Sequence, residues 1–153
     1  MMKDVKIVIG ANAGDEGKGL MTDYFSQKPN SIVVCSNGGS QRGHTVMTPD
    51  GIRHVFHHFG SGTFNGAVTY LSKEFIVNPL IFVQEFKELI NKGVVPIVYA
   101  HSDCMVSTPY DMMANHIVEE NRGKQKHGSC GLGIFETIKR YESDITDFDK
   151  VKD

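Results

Sequence analysis

The alternation of apolar and polar positions changes rhythm several times along the chain, and each change marks an element. Val5–Ile9 reads Val-Lys-Ile-Val-Ile before Gly10, a short apolar run that predicts a buried strand. Gly14 to Gly19 follows as a turn, and Leu20–Phe25 reads as the start of a helix. Ser31–Cys35 predicts a second strand, again followed by glycines, Gly38-Gly39. Gly43–Val46 leads into another apolar stretch, and Pro49-Asp50-Gly51 predicts a hairpin turn. Ala67–Leu71 predicts a strand. Pro79–Asn91 sets Leu80, Val83, Phe86, Leu89 and Ile90 at helical spacing, with Gly93 as terminator. Val94–Tyr99 predicts the next strand, Tyr110–Glu120 a helix starting no earlier than Pro109, and Phe135–Tyr141 a short helix. Ser143 to Asp153 is acid-rich and has no apolar face.

Strands alternating with helices predict an α/β fold. Its expected form is a mostly parallel central sheet with flanking helices and P-loop-like phosphate-binding loops, ligands lying at the carboxyl ends of the strands. Residues 1–142 are expected to form one nucleotide-binding part, and 143–153 an acidic tail or truncation point.

Composition narrows the function classes. The chain has 153 residues, 40% hydrophobic and 22% charged, which suits one globular domain with its own core. A net charge of −2 argues against a general nucleic-acid binder, which needs an excess of cations to displace counterions. No run approaches the roughly 18 apolar residues that span a bilayer. Three scattered cysteines form no CxxC pair, so zinc and a disulfide framework are not expected, and a reducing cytoplasm is. The informative excess is 16 glycines clustered in a few segments, where backbone approaches a ligand closely.

Four clusters bear chemistry. In Gly14-Asp15-Glu16-Gly17-Lys18-Gly19, glycines let backbone N–H groups converge on phosphate oxygens, the following helix start adds positive potential, and Lys18 brings a point charge. It is not a Walker A loop: Asn12 and Gly19 stand where that motif needs Gly and Ser or Thr. Asp15 replaces the missing hydroxyl as a hard oxygen ligand for Mg²⁺. The second cluster, Gly38-Gly39-Ser40-Gln41-Arg42-Gly43-His44-Thr45, also follows a strand and is expected beside the first. His44 there suits a charge-stabilising or general-acid role. In His57-His58-Phe59-Gly60-Ser61-Gly62 the two adjacent imidazoles are expected to point one inward and one outward, and not to share a metal. Gly128-Ser129-Cys130-Gly131-Leu132-Gly133-Ile134 is a second glycine-rich anion cradle, with Cys130 as a small turn residue rather than a nucleophile.

Gly14-Asp15-Glu16-Gly17-Lys18-Gly19, then Gly43-His44-Thr45, Ser61-Gly62 and the Gly128–Ile134 run resemble, in order and spacing, the N-terminal part of adenylosuccinate synthetase. The resemblance runs from about Val5 to about Arg140. Family chains are several times longer, so a fragment or truncated gene product is expected. The resemblance implies a large α/β homodimer acting in purine synthesis: GTP phosphorylates the 6-oxygen of IMP, and L-aspartate displaces the phosphate at C6. It implies Asp15 as general base and His44 as acid, with Mg²⁺ held by Asp15 and the Gly43 carbonyl. It implies GTP contacts at Gly14, Asp15, Glu16, Gly17, Lys18, Gly19, Leu20, Gly43, His44 and Thr45. It implies IMP contacts at Asp15, Glu16, Gly17, Lys18, Gln41, Arg42, Gly43, His44 and Cys130, and at Arg140 across the dimer.

The sequence departs from the family where the monophosphate would sit. Ser40-Gln41-Arg42 stands in place of His-Asn-Ala, Cys130 in place of Thr, Leu132 in place of Arg, and Ala13 in place of Trp. Alternatives are therefore a phage-type synthetase that takes dGMP, a non-catalytic nucleotide-binding fragment, and an unrelated phosphate-binding α/β module.

Overall fold

The structure is a computed structural model that describes residues 4–12, 14 and 16–143. Asp15, Ala13 and the expected tail beyond Ser143 lie outside the described residues. The strands are β1 (Ile32–Cys35), β2 (Gly38–Gly39), β3 (His44–Met47), β4 (Arg53–Phe56), β5 (Val68–Leu71), β6 (Phe75–Val77), β7 (Val98–Ala100) and β8 (Met105–Val106). The helices are α1 (Lys18–Phe25), α2 (Pro79–Asn91), α3 (Pro109–Asn121) and α4 (Ile134–Glu142), with 3₁₀ turns at Ser61–Asn65 and Gly123–Gln125.

The fold is mixed α/β with parallel sheets flanked by helices. Its parallel part comes in two pieces, β1-β5-β7 and β2-β6-β8, and β3 with β4 forms the antiparallel hairpin. Each strand of the second sheet follows, within a few residues, the strand holding the same place in the first. The chain thus runs through both sheets in three parallel lanes. Side chains bridge the interruption: Ser72 Oγ donates to the Ser36 carbonyl at 2.7 Å, and Cys104 Sγ donates to the Ser72 carbonyl at 2.8 Å.

α2 forms where expected because its ends are well specified. Asn78 caps it by accepting from the N–H of Leu80 at 3.1 Å and Ile81 at 3.2 Å, and Pro79 sits where a missing N–H costs nothing. Its inward stripe, Phe82, Phe86 and Leu89, packs on Val46, Phe56 and Phe59. A second cluster, Cys35, Leu71 and Phe75, lies under the parallel strands, and Val98 joins the two. α3 starts with a reciprocal cap between Thr108 and Asp111.

Two expectations change. Val5–Ile9 is not in a strand; Val5, Ile7 and Ile9 are 79%, 83% and 79% exposed. A strand is a pairing before it is a propensity, and none of the observed ladders includes this segment. The Val94–Tyr99 strand contracts to β7, because Pro96 has no N–H to give a ladder. The three residues of β6 and two of β8 were too short to produce a readable pattern. No helix among the described residues is long and apolar enough to cross a membrane.

Candidate functional site

The first glycine loop is held by its own charges. The Glu16 carboxylate accepts from the Asn12 N–H and pairs with Lys18 Nζ at 3.1 Å. The Lys18 hydrogen bond keeps the Glu16 carboxyl below its usual range. Gly17 then takes a left-handed conformation, φ 75°, that lets the chain turn straight into α1. The first intrahelical bond runs from the Met21 N–H to the Gly17 carbonyl at 3.0 Å, so the N–H groups before Met21 have no partner within the helix.

That helix start lies against β3. Glu16, Gly17, Lys18 and Gly19 line one side of an open cleft of about 210 Å³, and Gly43, His44 and Thr45 line the other. Two loops separated by more than twenty residues thus meet around one space, lined by the N–H groups of a helix start, the Lys18–Glu16 ion pair and one imidazole. Such a set attracts anions.

His44 is half-buried, and its pKa is lowered to about 4. Burial is the main cause, and the positive charges of Arg42 and Lys18, with His57, add to it. The imidazole is therefore neutral at pH 7. It offers a neutral N–H, and becomes an acid only when negative charge enters the cleft.

The other expected contacts are placed differently. Leu20 is exposed on the first turn of α1, and Gly14 is exposed at φ 126° without lining the cleft. Gln41 is exposed, and its amide lies beside Gly38 and Gly39. Arg42 turns inward. Its guanidinium donates to the carbonyl of His57, to those of His58 at 3.1 Å and Phe59 at 3.2 Å, and to Cys35 Sγ at 3.1 Å, and it stacks on Phe75. Cys130 is exposed on the Gly128–Ile134 loop and is not among the residues lining the cleft. Arg140 makes a two-pronged pair with Asp111, both contacts 2.9 Å, and reaches the Val106 carbonyl at 2.7 Å. Burial works against the Asp111 charge, but Arg140 and the Thr108 cap overcome it and hold the carboxyl at about 2. The backbone of the 127–129 loop closes on Glu119, whose Oε2 accepts from the N–H of His127, Gly128 and Ser129. Of the double histidine, His58 is buried, and His57 is half-buried with its ring against the second glycine loop.

Sequence reading missed Glu85. It is 3% exposed in α2, and its two oxygens accept from the N–H of His57 at 2.8 Å and His58 at 2.7 Å. The ring nitrogens His54 Nε2 and His58 Nδ1 stand 3.6 and 3.5 Å from the same carboxylate. Lys92 Nζ lies 2.8 Å from His54 Nδ1 and the Asn78 N–H donates to His58 Nε2 at 3.0 Å, which makes the nitrogen facing Glu85 the N–H of each ring. Burial pushes the Glu85 pKa up, yet these imidazole and backbone donors bring it down to about 2. The only advance signal was a glutamate three residues after Phe82 and four before Leu89, on the helix face that packs inward.

A family model for adenylosuccinate synthetase matches residues 7–144. An adenylosuccinate synthetase of Borrelia duttonii (strain Ly) is 32% identical over 127 residues, covering 83% of this chain and 29% of that protein. The chain spans about 30% of the length of the curated relatives it matches. The fully ligated adenylosuccinate synthetase of Plasmodium falciparum shares the fold, with a TM-score of 0.76 at 22% identity over 89% of this chain and 32% of that one. So does the succinoaminodeoxyadenylate synthetase of cyanophage S-2L, solved bound to dGMP and dATP, with a TM-score of 0.61 at 17% identity over 83% of this chain and 36% of that one.

Proposed function

The chain belongs to the adenylosuccinate synthetase family, and we propose that its cleft handles the phosphates in a GTP-dependent ligation of L-aspartate to C6 of IMP. The observation that carries this reading is the convergence of Gly17–Gly19 and Gly43–Thr45 on one space. Backbone N–H groups at the start of α1 and the Lys18 ammonium bind phosphate oxygens. Asp15 takes the proton from purine N1, and the 6-oxygen then attacks the terminal phosphorus of GTP. The O6–P bond forms as the bond to the β-phosphate oxygen breaks, and GDP leaves. The aspartate amine next adds at C6 and gives up one proton to the leaving group, so that inorganic phosphate departs with the O6 oxygen and that proton.

His44 supports the transferring phosphoryl group. Its neutral N–H donates to an equatorial oxygen, and the incoming negative charge offsets the repulsion from Arg42 and Lys18 that lowers its proton affinity. Among the described residues no group of three or more His, Cys, Asp or Glu side chains gathers as a metal site. Mg²⁺ does not need one, since it binds through one or two protein oxygens together with substrate phosphates. The Gly43 backbone lines the cleft, and its carbonyl is the right type of donor; Asp15 and that carbonyl are the protein ligands in this reading. Bound there, Mg²⁺ would neutralise charge on the nucleotide phosphates.

Titration of MgGTP into the chain tests the reading. Saturable binding that weakens at least tenfold in Lys18→Met is expected, and equal affinity for both proteins would overturn it. A second reading is favoured by Ser40-Gln41-Arg42 and Cys130, which depart from the family on the monophosphate side. In that reading the acceptor is dGMP and the product a 2-amino analogue of adenylosuccinate. Competition between IMP and dGMP in the presence of MgGTP separates the two.

A further inference from the structure

Two short segments are cross-stitched behind the cleft. His57 Nδ1 faces the carbonyls of Ser40, at 3.0 Å, and Arg42; both can only accept, so Nδ1 carries a proton and donates to them. In return, Arg42 donates to the carbonyls of His57, His58 and Phe59. The 57–58 backbone is in turn fixed to α2 by the Glu85 carboxylate. Residues 40–42 lead directly into Gly43, His44 and Thr45, which form one wall of the cleft.

We infer that Glu85, His57 and Arg42 are positioning residues that set where the Gly43–Thr45 wall stands relative to the start of α1. This rests on the reading of the cleft as a nucleotide-phosphate site, and gives the double histidine and the inward arginine a role in it. None of the three side chains lines the cleft. Each acts through backbone: Glu85 holds two N–H groups, His57 two carbonyls, and Arg42 three carbonyls. A wall held by residues 40–42 on one side and by the pairing of β3 with β4 on the other keeps the His44 ring and the helix start at a constant separation, which phosphate binding at close range requires.

The experiment compares three versions of the chain: unaltered, His57→Ala and His57→Asn. The asparagine amide places an N–H where Nδ1 stood, so it restores the donor with a smaller side chain. Amide hydrogen exchange is followed without ligand, and MgGTP affinity is measured separately. In His57→Ala, exchange at Gln41–His44 should rise by roughly 3- to 10-fold, the effect of losing one net hydrogen bond. Exchange in β1 and β5 should hold, and His57→Asn should return toward the unaltered rate. MgGTP binding should weaken in parallel. A uniform rise across all amides would mean ordinary destabilisation, and unchanged exchange at Gln41–His44 would mean no positioning; either overturns the inference. If the unaltered chain fails to bind MgGTP, the nucleotide reading fails, while the exchange pattern still decides the positioning role. Glu85→Gln provides a second variant with the same expected local pattern. If it does not fold, the His57 pair carries the decision.

Discussion

Gly19 and His44 touch so closely that a β-carbon built on Gly19 would stand 2.8 Å from the β-carbon of His44. No side chain fits between them. The start of α1 can approach β3 only because position 19 is glycine, and that approach closes the cleft from one side.

Gly19→Ala should therefore force the loops apart. Alanine is the better helix former by about 1 kcal/mol, so propensity alone predicts stabilisation. The contact predicts the reverse, since overpacking of this kind costs about 1–3 kcal/mol. A lower thermal midpoint with MgGTP affinity reduced at least tenfold is expected. A midpoint equal to or above the parent would show that the two loops have room to move.

His44 makes stability pH-dependent in a defined window. Its folded pKa is about 4, below the ordinary 6.5, so between those values the unfolded chain binds more protons than the folded one. The stability contribution is whole above pH 6.5 and is lost as pH falls toward 4. Glu85 and Asp111, each lowered to about 2, keep their contributions until the pH drops below the ordinary carboxylate range. Thermal midpoints between pH 7 and pH 5 should fall less steeply in His44→Asn than in the parent. Phosphate binding should flatten the parent's slope, because an anion in the cleft raises the His44 pKa. Parallel slopes for parent and variant would contradict the low pKa.

Arg140 separates two roles by two readouts. In this structure it neutralises Asp111, which is 5% exposed at the start of α3. Arg140→Ala should cost about 1–3 kcal/mol, less than the loss of a fully buried pair because the arginine is part-exposed. Chemical denaturation measures that cost. Unchanged stability together with weakened monophosphate binding would instead assign Arg140 to a nucleotide.

The proposed ligation gives Asp15 a test of its own. Asp15→Asn should lower adenylosuccinate formation by about 10²–10⁴-fold in any form of the protein that turns over, since an amide takes no proton at neutral pH. The 153 residues alone are expected to show none, since they span about 30% of the relatives' length. A coupled assay with Asp15→Asn as control is decisive, and substantial turnover lost in that control would show a working short enzyme.

The elements that sequence reading located well are those with local punctuation. Asn78-Pro79 starts α2, Thr108-Pro109 starts α3 and Gly133 precedes α4, and all three helices lie within a residue or two of expectation. The hairpin at Pro49-Asp50-Gly51 follows the same logic, with Gly51 at φ 89°. The strand expected at Val5–Ile9 had no such local test, because a ladder depends on a partner elsewhere in the chain.

The glycine loops, the hairpin turn and the ends of the helices were legible in the sequence alone, since each depends on neighbours a few positions away. Which face of α2 turns inward was not. Periodicity pointed to Leu80, Val83 and Ile90 along with Phe86 and Leu89, yet Leu80, Val83 and Ile90 are exposed, while Glu85 is buried beside Phe86 and Leu89. A count of apolar residues places a carboxylate outside. Only the tertiary structure brings the His57 and His58 N–H groups to the same carboxylate, and those donors replace the water that a buried charge gives up.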